Sequence, residues 1–245
     1  MEYFVFDTKE KLGKEAAAKG ASFITQAIKE TGSAHIIVAT GASQFEMLEA
    51  LVVSNVDWSK VEVFHLDEYL GMSMNHGASF RKYLKEKFVD KVKNLKAIHF
   101  IEGDSKNIDK EIARLNDLIS SKTIDVAFVG VGENGHLAFN DPPADFETIV
   151  PYLVVDLDEA CRKQQMGEGW FPTVEDVPLK AISMSIKHIL KSEHIINTVP
   201  DARKADAIKC AMEGKVSNLC PASILQTHPS CYWYLDKDSS SKLKK

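Results

Sequence analysis

The chain has 245 residues, of which 35 are acidic and 30 are basic, so its formal net charge is −5. Hydrophobic residues make up 44% of the chain, enough for a full core, which excludes an intrinsically disordered protein. The mildly acidic balance, without a stripe rich in Lys and Arg, argues against a nucleic-acid partner.

No apolar segment approaches the roughly 18–20 residues that a membrane span needs, so no membrane partner is expected. The first residues also lack the basic start and apolar stretch of a signal peptide. The four cysteines show no CxxC spacing, and we expect them to be reduced, buried thiols. These features predict a cytoplasmic protein.

Apolar segments of strand length alternate along the chain with longer segments of helical period. The expected strands are residues 2–6, 34–39, 61–66, 97–101, 124–130, 181–186, 194–199 and 231–235. The expected helices are residues 9–31, 45–52, 79–89, 106–120 and a segment starting at Asp201. The alternation predicts a single α/β domain over residues 1–245, with a mostly parallel, doubly wound (Rossmann-like) sheet and helices on both faces. Residues 140–178, rich in Pro, Gly and acids, are expected to be an irregular insertion near the site.

The first polar strand end is the turn that joins strand 34–39 to helix 45–52. Gly41 allows a tight turn, and the following helix presents free N–H groups and its positive dipole end to an anion. Thr40 and Ser43 flank Gly41 and Ala42 and add hydroxyl donors. The turn fits a phosphate loop or a plain turn with Ser43 as helix N-cap, and it matches neither the P-loop nor the GxGxxG pattern.

The second polar strand end is the pair Asp67 and Glu68, directly after strand 61–66. Two adjacent carboxylates at a strand end can supply a general base and a group that holds it. The alternative is a solvated loop in which one acid caps a helix, and the pair considered alone favours that loop.

The third polar strand end is a glycine-rich turn at residues 130–142, which delivers His136 and, five residues later, Asp141. A histidine suits proton transfer near neutral pH, and a carboxylate can fix its tautomer and stabilise its charged form. Three glycines in six residues suggest a backbone that passes close to a ligand. This cluster favours a catalytic site over a structural histidine.

A metal site is less well supported by the sequence. The residues that could converge on a metal are His65, Asp67, Glu68 and His136. No HxxxH, HExxH or CxxC spacing supports such a site, and His65 should point away from Leu66 on the same strand. A Ser-His-Asp hydrolase is also poorly supported, because there is no GxSxG motif. We expect no metal.

These three segments, in this order and spacing, resemble the glucosamine-6-phosphate deaminase (isomerase) family. Residues 39–43 look like the family's TGG-T phosphate loop, and residues 67–71 match its DEYxG motif. Residues 130–142 resemble its GxGxDGHIAFNEP signature, and residues 223–229 its closing S-x-LQ-x-HP stretch. The resemblance runs essentially from end to end, and the wider superfamily also includes 6-phosphogluconolactonases and sugar-phosphate sensor domains.

The resemblance implies deamination coupled to aldose–ketose isomerisation of a 2-amino-2-deoxy-hexose 6-phosphate, without a metal or organic cofactor. Glucosamine 6-phosphate and water would give fructose 6-phosphate and ammonia, a reaction of the hydrolase or isomerase class. By motif position, His136 would open the pyranose ring and Asp141 would orient and charge-tune it. Asp67 would move a proton between C2 and C1 through an enolamine, supported by Glu68 at the substrate. The residues expected to hold the phosphate are Thr40, Gly41, Ala42, Ser43 and Lys204.

Four positions depart from the family pattern. Asn134 stands where the pattern has Asp, and we keep it with the catalytic residues because its amide can still hydrogen-bond. Asp141 replaces Glu and is one methylene shorter, while Ala42 replaces the second Gly of the phosphate loop. The basic residue that the family carries upstream of strand 181–186 has no clear match, and Arg162 is the nearest basic residue.

Three alternative functions stay open, beginning with the same reaction on the galacto epimer. A lactonase would continue its third motif toward TASLFP, whereas this chain continues LAFNDP at residues 137–142. A non-catalytic sensor could lose acid/base residues, so the presence of Asp67, His136 and Asp141 favours catalysis. The expected partner is a small-molecule sugar phosphate, and copies of the chain could form a homo-oligomer.

Overall fold

A computed structural model describes residues 1–244, in which ten strands form two sheets. Seven strands form a parallel sheet in the order β1-β10-β9-β6-β2-β3-β5, and three form an antiparallel sheet in the order β4-β8-β7. The strands are β1 (Glu2–Phe6), β2 (Ala34–Val38), β3 (Val61–His65), β4 (Asp67–Tyr69), β5 (Ala97–His99), β6 (Val126–Val129), β7 (Tyr152–Asp156), β8 (Lys180–Met184), β9 (His194–Val199) and β10 (Cys231–Asp236). The α-helices are α1 (Lys9–Thr31), α2 (Phe45–Val52), α3 (Phe80–Leu84), α4 (Ile108–Ser120), α5 (Glu159–Gly167), α6 (Ile186–Ile189) and α7 (Ala205–Glu213).

Helix α1 shows how local sequence sets the limits of an element. The side chain of Thr8 accepts a hydrogen bond from Lys11 N at 3.2 Å and caps the first turn. Gly32 ends the helix with φ 87°, and its N–H donates to Ile28 O at 2.9 Å. The predicted helix 9–31 is therefore confirmed at both ends.

The central strands β2, β3 and β6 are buried on both faces of the parallel sheet. Ile36 and Val38 on β2 belong to an apolar layer with α1 and α2. Ile37 points the other way, into a layer with α4 and α7. The expected α/β class, with a mostly parallel sheet and helices on both faces, is confirmed.

The parallel sheet reverses its direction of growth between β2 and β6, because β3 and β5 lie beyond β2 while β9 and β10 lie beyond β6. At such a switch point the loops from the carboxyl ends of neighbouring strands diverge and leave a crevice for a ligand. The loop that starts at Thr40 follows β2, and the turn that starts at Gly130 follows β6. The topology thus places two predicted polar segments side by side.

Two expectations about the fold were wrong. Residues 140–178 are not wholly irregular, because they contain β7 and α5. The predicted strand 181–186 is β8, which lies in the antiparallel sheet, where β4 pairs with it. Asp67 and Glu68 therefore belong to a strand and not to a solvated loop. A smaller difference concerns the predicted helix 79–89, in which α3 is followed by a π-helical turn at Lys85–Val89.

Among residues 1–244, no helix combines the length and the apolar character needed to cross a membrane. All four cysteines are free thiols. Cys161, Cys220 and Cys231 are buried as expected, whereas Cys210 is exposed, which corrects the prediction for that thiol.

The carboxylate of Glu62 on β3 lies within ion-pair distance of three basic groups. Its oxygens are 2.8 Å from Lys96 Nζ, 3.4 Å from His99 Nε2 and 3.5 Å from Lys122 Nζ. Burial opposes the charge on Glu62, but these partners outweigh it and lower its pKa from 4.5 to about 2. The stabilisation from ionised Glu62 is therefore complete above pH 4.5 and is lost as the pH falls toward 2. We expect Glu62→Gln to lower the Tm clearly at pH 7 and much less at pH 3, measured by thermal unfolding. An equal loss at both values would show that the charge is not responsible.

Candidate active site

A cleft opens at the carboxyl edge of the parallel sheet, with an empty volume of about 710 Å³ that includes open solvent. The predicted residues that line it are Thr40, Gly41, Ala42, Ser43, Asp67, His136 and Lys204. The structure thus brings one end of β2, β3, β6 and β9 to a common space. Glu68, Asn134 and Asp141 lie behind the residues that line the cleft.

The loop after β2 forms one wall of the cleft. Gly41 adopts φ 94°, a left-handed conformation that disfavours other residues. The hydroxyl of Thr40 is buried and has no hydrogen-bond partner within the described residues, so it is free to bind a ligand. The N-cap interpretation of Ser43 is wrong, because α2 follows a 3₁₀ turn at Ala42–Gln44 and has no side-chain cap.

Gln44 holds this loop in place and was not predicted from the sequence. Its side chain is fully buried, and Nε2 donates to Val129 O at 3.1 Å and to Thr198 O at 3.3 Å. Nε2 also donates to Ser43 Oγ at 3.1 Å. These bonds connect the loop to the ends of β6 and β9, which fixes the wall that carries Thr40.

Lys204 supplies an uncompensated positive charge to the same end of the cleft. It lies in the 3₁₀ turn Ala202–Lys204 before α7 and is only 5% exposed. No carboxylate of residues 1–244 lies within ion-pair distance of its Nζ atom. Burial lowers the pKa of Lys204, although the more distant acids Glu168 and Glu133 raise it in part. A buried cation without a counterion favours a bound anion.

Asp67 also lines the cleft and is 7% exposed. It follows β3, whereas Lys204 follows β9, and because β2 and β6 lie between these strands, the two residues belong to opposite ends of the cleft. Burial, together with the negative charge of Glu68 next to it, raises the pKa of Asp67 from 3.8 to about 8. A carboxyl group with a pKa near neutral pH can both accept and return a proton during a reaction. The position and the pKa of Asp67 therefore suit a general base.

Glu68, predicted to support the substrate site, does not itself line the cleft. Its carboxylate accepts hydrogen bonds from Tyr69 N at 2.9 Å, Phe80 N at 3.3 Å, Ser79 Oγ at 2.8 Å and Arg81 N at 2.8 Å. Burial still raises the pKa of Glu68, although these four donors lower it in part. Glu68 therefore anchors β4 to the start of α3 and places a second carboxylate behind Asp67.

The glycine-rich turn after β6 presents His136 to the cleft. Gly132 N donates to His136 O, and Gly135 N donates to Gly132 O, both at 3.0 Å. The ring lies so close to Gly132 that a Cβ atom there would overlap it. The turn therefore needs glycine at this position to admit the imidazole.

Asp141 and Asn134 hold the histidine from behind. Asp141 Oδ1 lies 3.0 Å from His136 Nδ1, a short contact that is bent away from ideal hydrogen-bond alignment. Burial opposes the charge on Asp141, but His136, the Asn134 amide and the Asp158 N–H outweigh it and lower its pKa. Asn134 donates to both Asp141 at 3.0 Å and Asp158 at 3.1 Å. These contacts suit a role for Asn134 in holding Asp141, and its place among the catalytic residues stays a prediction.

The four residues considered above as possible metal ligands do not form a cluster. His65 is fully buried, does not line the cleft as Leu66 does, and has a pKa that burial lowers to about 3. A different trio, His136, Asp141 and Cys161, places its donor atoms within 4.8 Å of one another. The hydrogen bonds of Asp141 described above already account for its position in this trio.

Several lining residues were not predicted from the sequence because they lie on helix faces or turns without a motif. These are Lys9, Phe80, Gln164, Gln165, Glu168, Asp201 and Arg203. Phe139 also lines the cleft, and it lies within the motif at residues 130–142, where no role was assigned to it. Arg162, the nearest match to the family's missing basic residue, is not among the lining residues, since its guanidinium binds the carbonyls of Val174 and Val177. Polar residues of amphipathic helices resemble ordinary solvent-facing residues, so the sequence carried no signal for them.

Comparisons with known proteins agree with this geometry. Residues 7–233 match the family described as glucosamine-6-phosphate isomerases/6-phosphogluconolactonase. The glucosamine-6-phosphate deaminase of Lacticaseibacillus paracasei is 36% identical over 248 residues, which cover all of both chains. That of Clostridium novyi is 35% identical over 249 residues, which cover 99% of this chain and all of the relative.

Solved structures show the same relationship. A monomeric glucosamine-6-phosphate deaminase superposes with a TM-score of 0.88 and 28% identity, covering 98% of this chain and 99% of the other. A 6-phosphogluconolactonase from Trypanosoma brucei shares the fold, with a TM-score of 0.80, 14% identity and coverage of 99% and 98%. With a match along nearly its whole length, the chain belongs to the glucosamine-6-phosphate isomerase/6-phosphogluconolactonase family.

Proposed function

We propose that the chain converts glucosamine 6-phosphate and water to fructose 6-phosphate and ammonia. One observation carries this proposal: a single cleft holds the uncompensated cation Lys204 at one end and the raised-pKa carboxyl group of Asp67 at the other. A sugar phosphate has a dianionic handle at one end and a carbon that must lose a proton at the other. The names of the full-length relatives support the same reaction.

The phosphate end of the cleft would fix the substrate. Lys204, the free hydroxyl of Thr40 and the main-chain N–H groups around Gly41 offer charge and hydrogen-bond donors to the phosphate oxygens. Binding energy gained there positions the reacting carbons, which are remote from the phosphate. Ala42 adds a methyl group to this wall and leaves the main-chain donors in place.

At the other end, His136 would open the sugar ring by moving a proton from the anomeric hydroxyl to the ring oxygen. Asp141 would stabilise the imidazolium that forms between these two transfers. Asp67 would then remove the proton from C2 and deliver it to C1, passing through an enolamine. The C2 imine that results would add water and lose ammonia, which leaves the ketone of fructose 6-phosphate.

Asp67, a carboxyl group in the cleft whose raised pKa lets it accept and return a proton, suits proton transfer from C2 to C1, a step that lactone hydrolysis does not include. The galacto epimer has the same reacting atoms and stays the second candidate substrate. We also propose a cytoplasmic location, because four unpaired thiols are typical of a reducing compartment. Assembly into a homo-oligomer stays a prediction.

The proposal can be tested by measuring the release of ammonia. Glucosamine 6-phosphate and galactosamine 6-phosphate are offered in parallel, with EDTA present. Release from one sugar would support a metal-independent deaminase and would identify the epimer. If neither sugar released ammonia and the protein hydrolysed 6-phosphogluconolactone, the proposal would be overturned in favour of a lactonase. Tight binding of a sugar without any turnover would favour a sensor.

Replacing Lys204 tests the phosphate end separately. Lys204→Met keeps most of the length of the side chain and removes its charge, so we expect KM to rise by about 10- to 100-fold with a smaller change in kcat. The reason is that hydrogen bonds to charged groups contribute about 1.5–3 kcal/mol. Lys187→Met, a lysine paired with Glu147 on the surface, is the matched control. Unchanged KM in Lys204→Met would mean that the phosphate binds elsewhere.

A further inference from the structure

Gln165 on α5 is a cleft residue to which the proposed reaction assigns no role. Its side chain is 5% exposed and lines the cleft. Its Oε1 atom accepts a hydrogen bond of 2.7 Å from the hydroxyl of Tyr69, which is itself buried. This bond fixes the orientation of the amide and turns its NH₂ group away from Tyr69.

The NH₂ group of Gln165 donates to no residue between 1 and 244. Because the rest of the side chain is packed against the protein, this unused donor faces the cleft, where it is available to a ligand. The neighbouring Gln164 shows the contrast. Its Oε1 accepts from Glu133 N at 2.7 Å and its Nε2 donates to Glu168 at 2.9 Å, so both ends are occupied within the protein.

The position of Gln165 between the two ends of the cleft limits which substrate atom it can reach. Tyr69 follows Asp67 closely on β4, which places the Gln165 amide near the reacting end. Glu168, three residues after Gln165, lines the cleft with Lys204 and is the acid that most raises the pKa of Lys204. The C-terminal end of α5, which carries Gln165, therefore lies between the two ends of the cleft. The carbon midway between the reacting C2 and the phosphorylated C6 is C4.

An amide NH₂ group donates hydrogen bonds and cannot accept them, so it does not suit a substrate ammonium group. It suits a hydroxyl oxygen, and the gluco and galacto sugars differ in the direction of the hydroxyl at C4. We infer that Gln165 is a specificity-determining residue whose amide donates to the C4 hydroxyl and distinguishes the two epimers. This inference rests on the proposed function for its substrate class.

Equilibrium binding tests the inference without relying on turnover. Glucosamine 6-phosphate, galactosamine 6-phosphate and inorganic phosphate are titrated into the Asp67→Asn protein, with and without a change at Gln165. Gln165→Met removes the amide, and Gln165→Glu keeps an oxygen for Tyr69 while removing the donor. We expect Gln165→Met to weaken the tighter-binding epimer about tenfold and the other epimer less, with the affinity for inorganic phosphate unchanged. Gln165→Glu adds a negative charge that weakens all three anions, and we expect it to reduce the Kd ratio between the epimers by a similar factor.

A Kd ratio between the epimers that stays constant would overturn the inference, and so would equal weakening of both sugars and phosphate, which would indicate a structural role. Failure of the proposed function has a different signature. It is absence of ammonia release from either sugar by the unaltered protein, while the binding titrations still decide the role of Gln165.

Discussion

Asp67→Asn should lower turnover by about 10²- to 10⁴-fold while leaving the affinity for the sugar phosphate nearly unchanged. Asparagine has the same shape as aspartate but cannot accept a proton from carbon. Thr40 and Lys204, which are proposed to hold the phosphate, are unchanged in this variant, so the substrate should still bind. Ammonia release and equilibrium titration of the substrate measure the two effects separately.

The pH dependence of kcat/KM and of stability provides a second test of the role of Asp67. Because the pKa of Asp67 is raised to about 8, the base is mostly protonated at pH 7, and kcat/KM should rise with pH through a midpoint near 8. The folded protein holds this proton more tightly than the unfolded chain, so stability falls as the pH rises from about 4 to 8. Asp67→Asn removes that loss and should show a higher Tm at pH 8.5.

Asp117→Asn, on α4 and outside the cleft, is a suitable control because it makes the same chemical change. Near-normal turnover in Asp67→Asn would remove Asp67 as the base. A fall in affinity as large as the fall in turnover would instead show that the carboxyl group binds the substrate.

The elements and site residues that could be predicted are those whose local sequence already shows their place in the fold. Helix α1 has a capping Thr8 and a terminal Gly32, and the buried strands read as continuous apolar runs, so these elements were found closely. The strand ends after β2 and β6 carry residues that a core does not need, which is why Thr40 and His136 stood out.

The antiparallel sheet could not be predicted in the same way. Strand β4 has three residues, too few for a periodic pattern, and its burial depends on pairing with β8, more than 100 residues later. Burial of Asp67 and Glu68 is therefore a tertiary effect, and it also sets their pKa values. Gln44 and Gln165 were not predicted for a related reason. Nothing in the sequence around a helical glutamine shows whether it is buried or exposed.

We expect the rate to depend as strongly on the space around the His136 ring as on the ring itself. The ring fills the position where Gly132 has no side chain, and a Cβ atom there would overlap several ring atoms. The ring is 7% exposed and sits against Asp141, so it cannot swing aside freely. We expect both Gly132→Ala and His136→Gln to lower kcat by about 10²-fold or more, because loss of a positioned acid/base group costs about this much.

A comparison of an open-chain substrate analogue with the cyclic sugar distinguishes a ring-opening defect from general damage to the fold. An open-chain substrate analogue needs no ring opening, so it should restore part of the rate in both variants if His136 acts at that step. Gly77→Ala is the matched control, since nothing lies within 4 Å of the added methyl group and its backbone is unstrained. If the open-chain analogue were turned over no better than the cyclic sugar by either variant, His136 would act at a later proton transfer, and Asp67 would need a different partner in the shuttle.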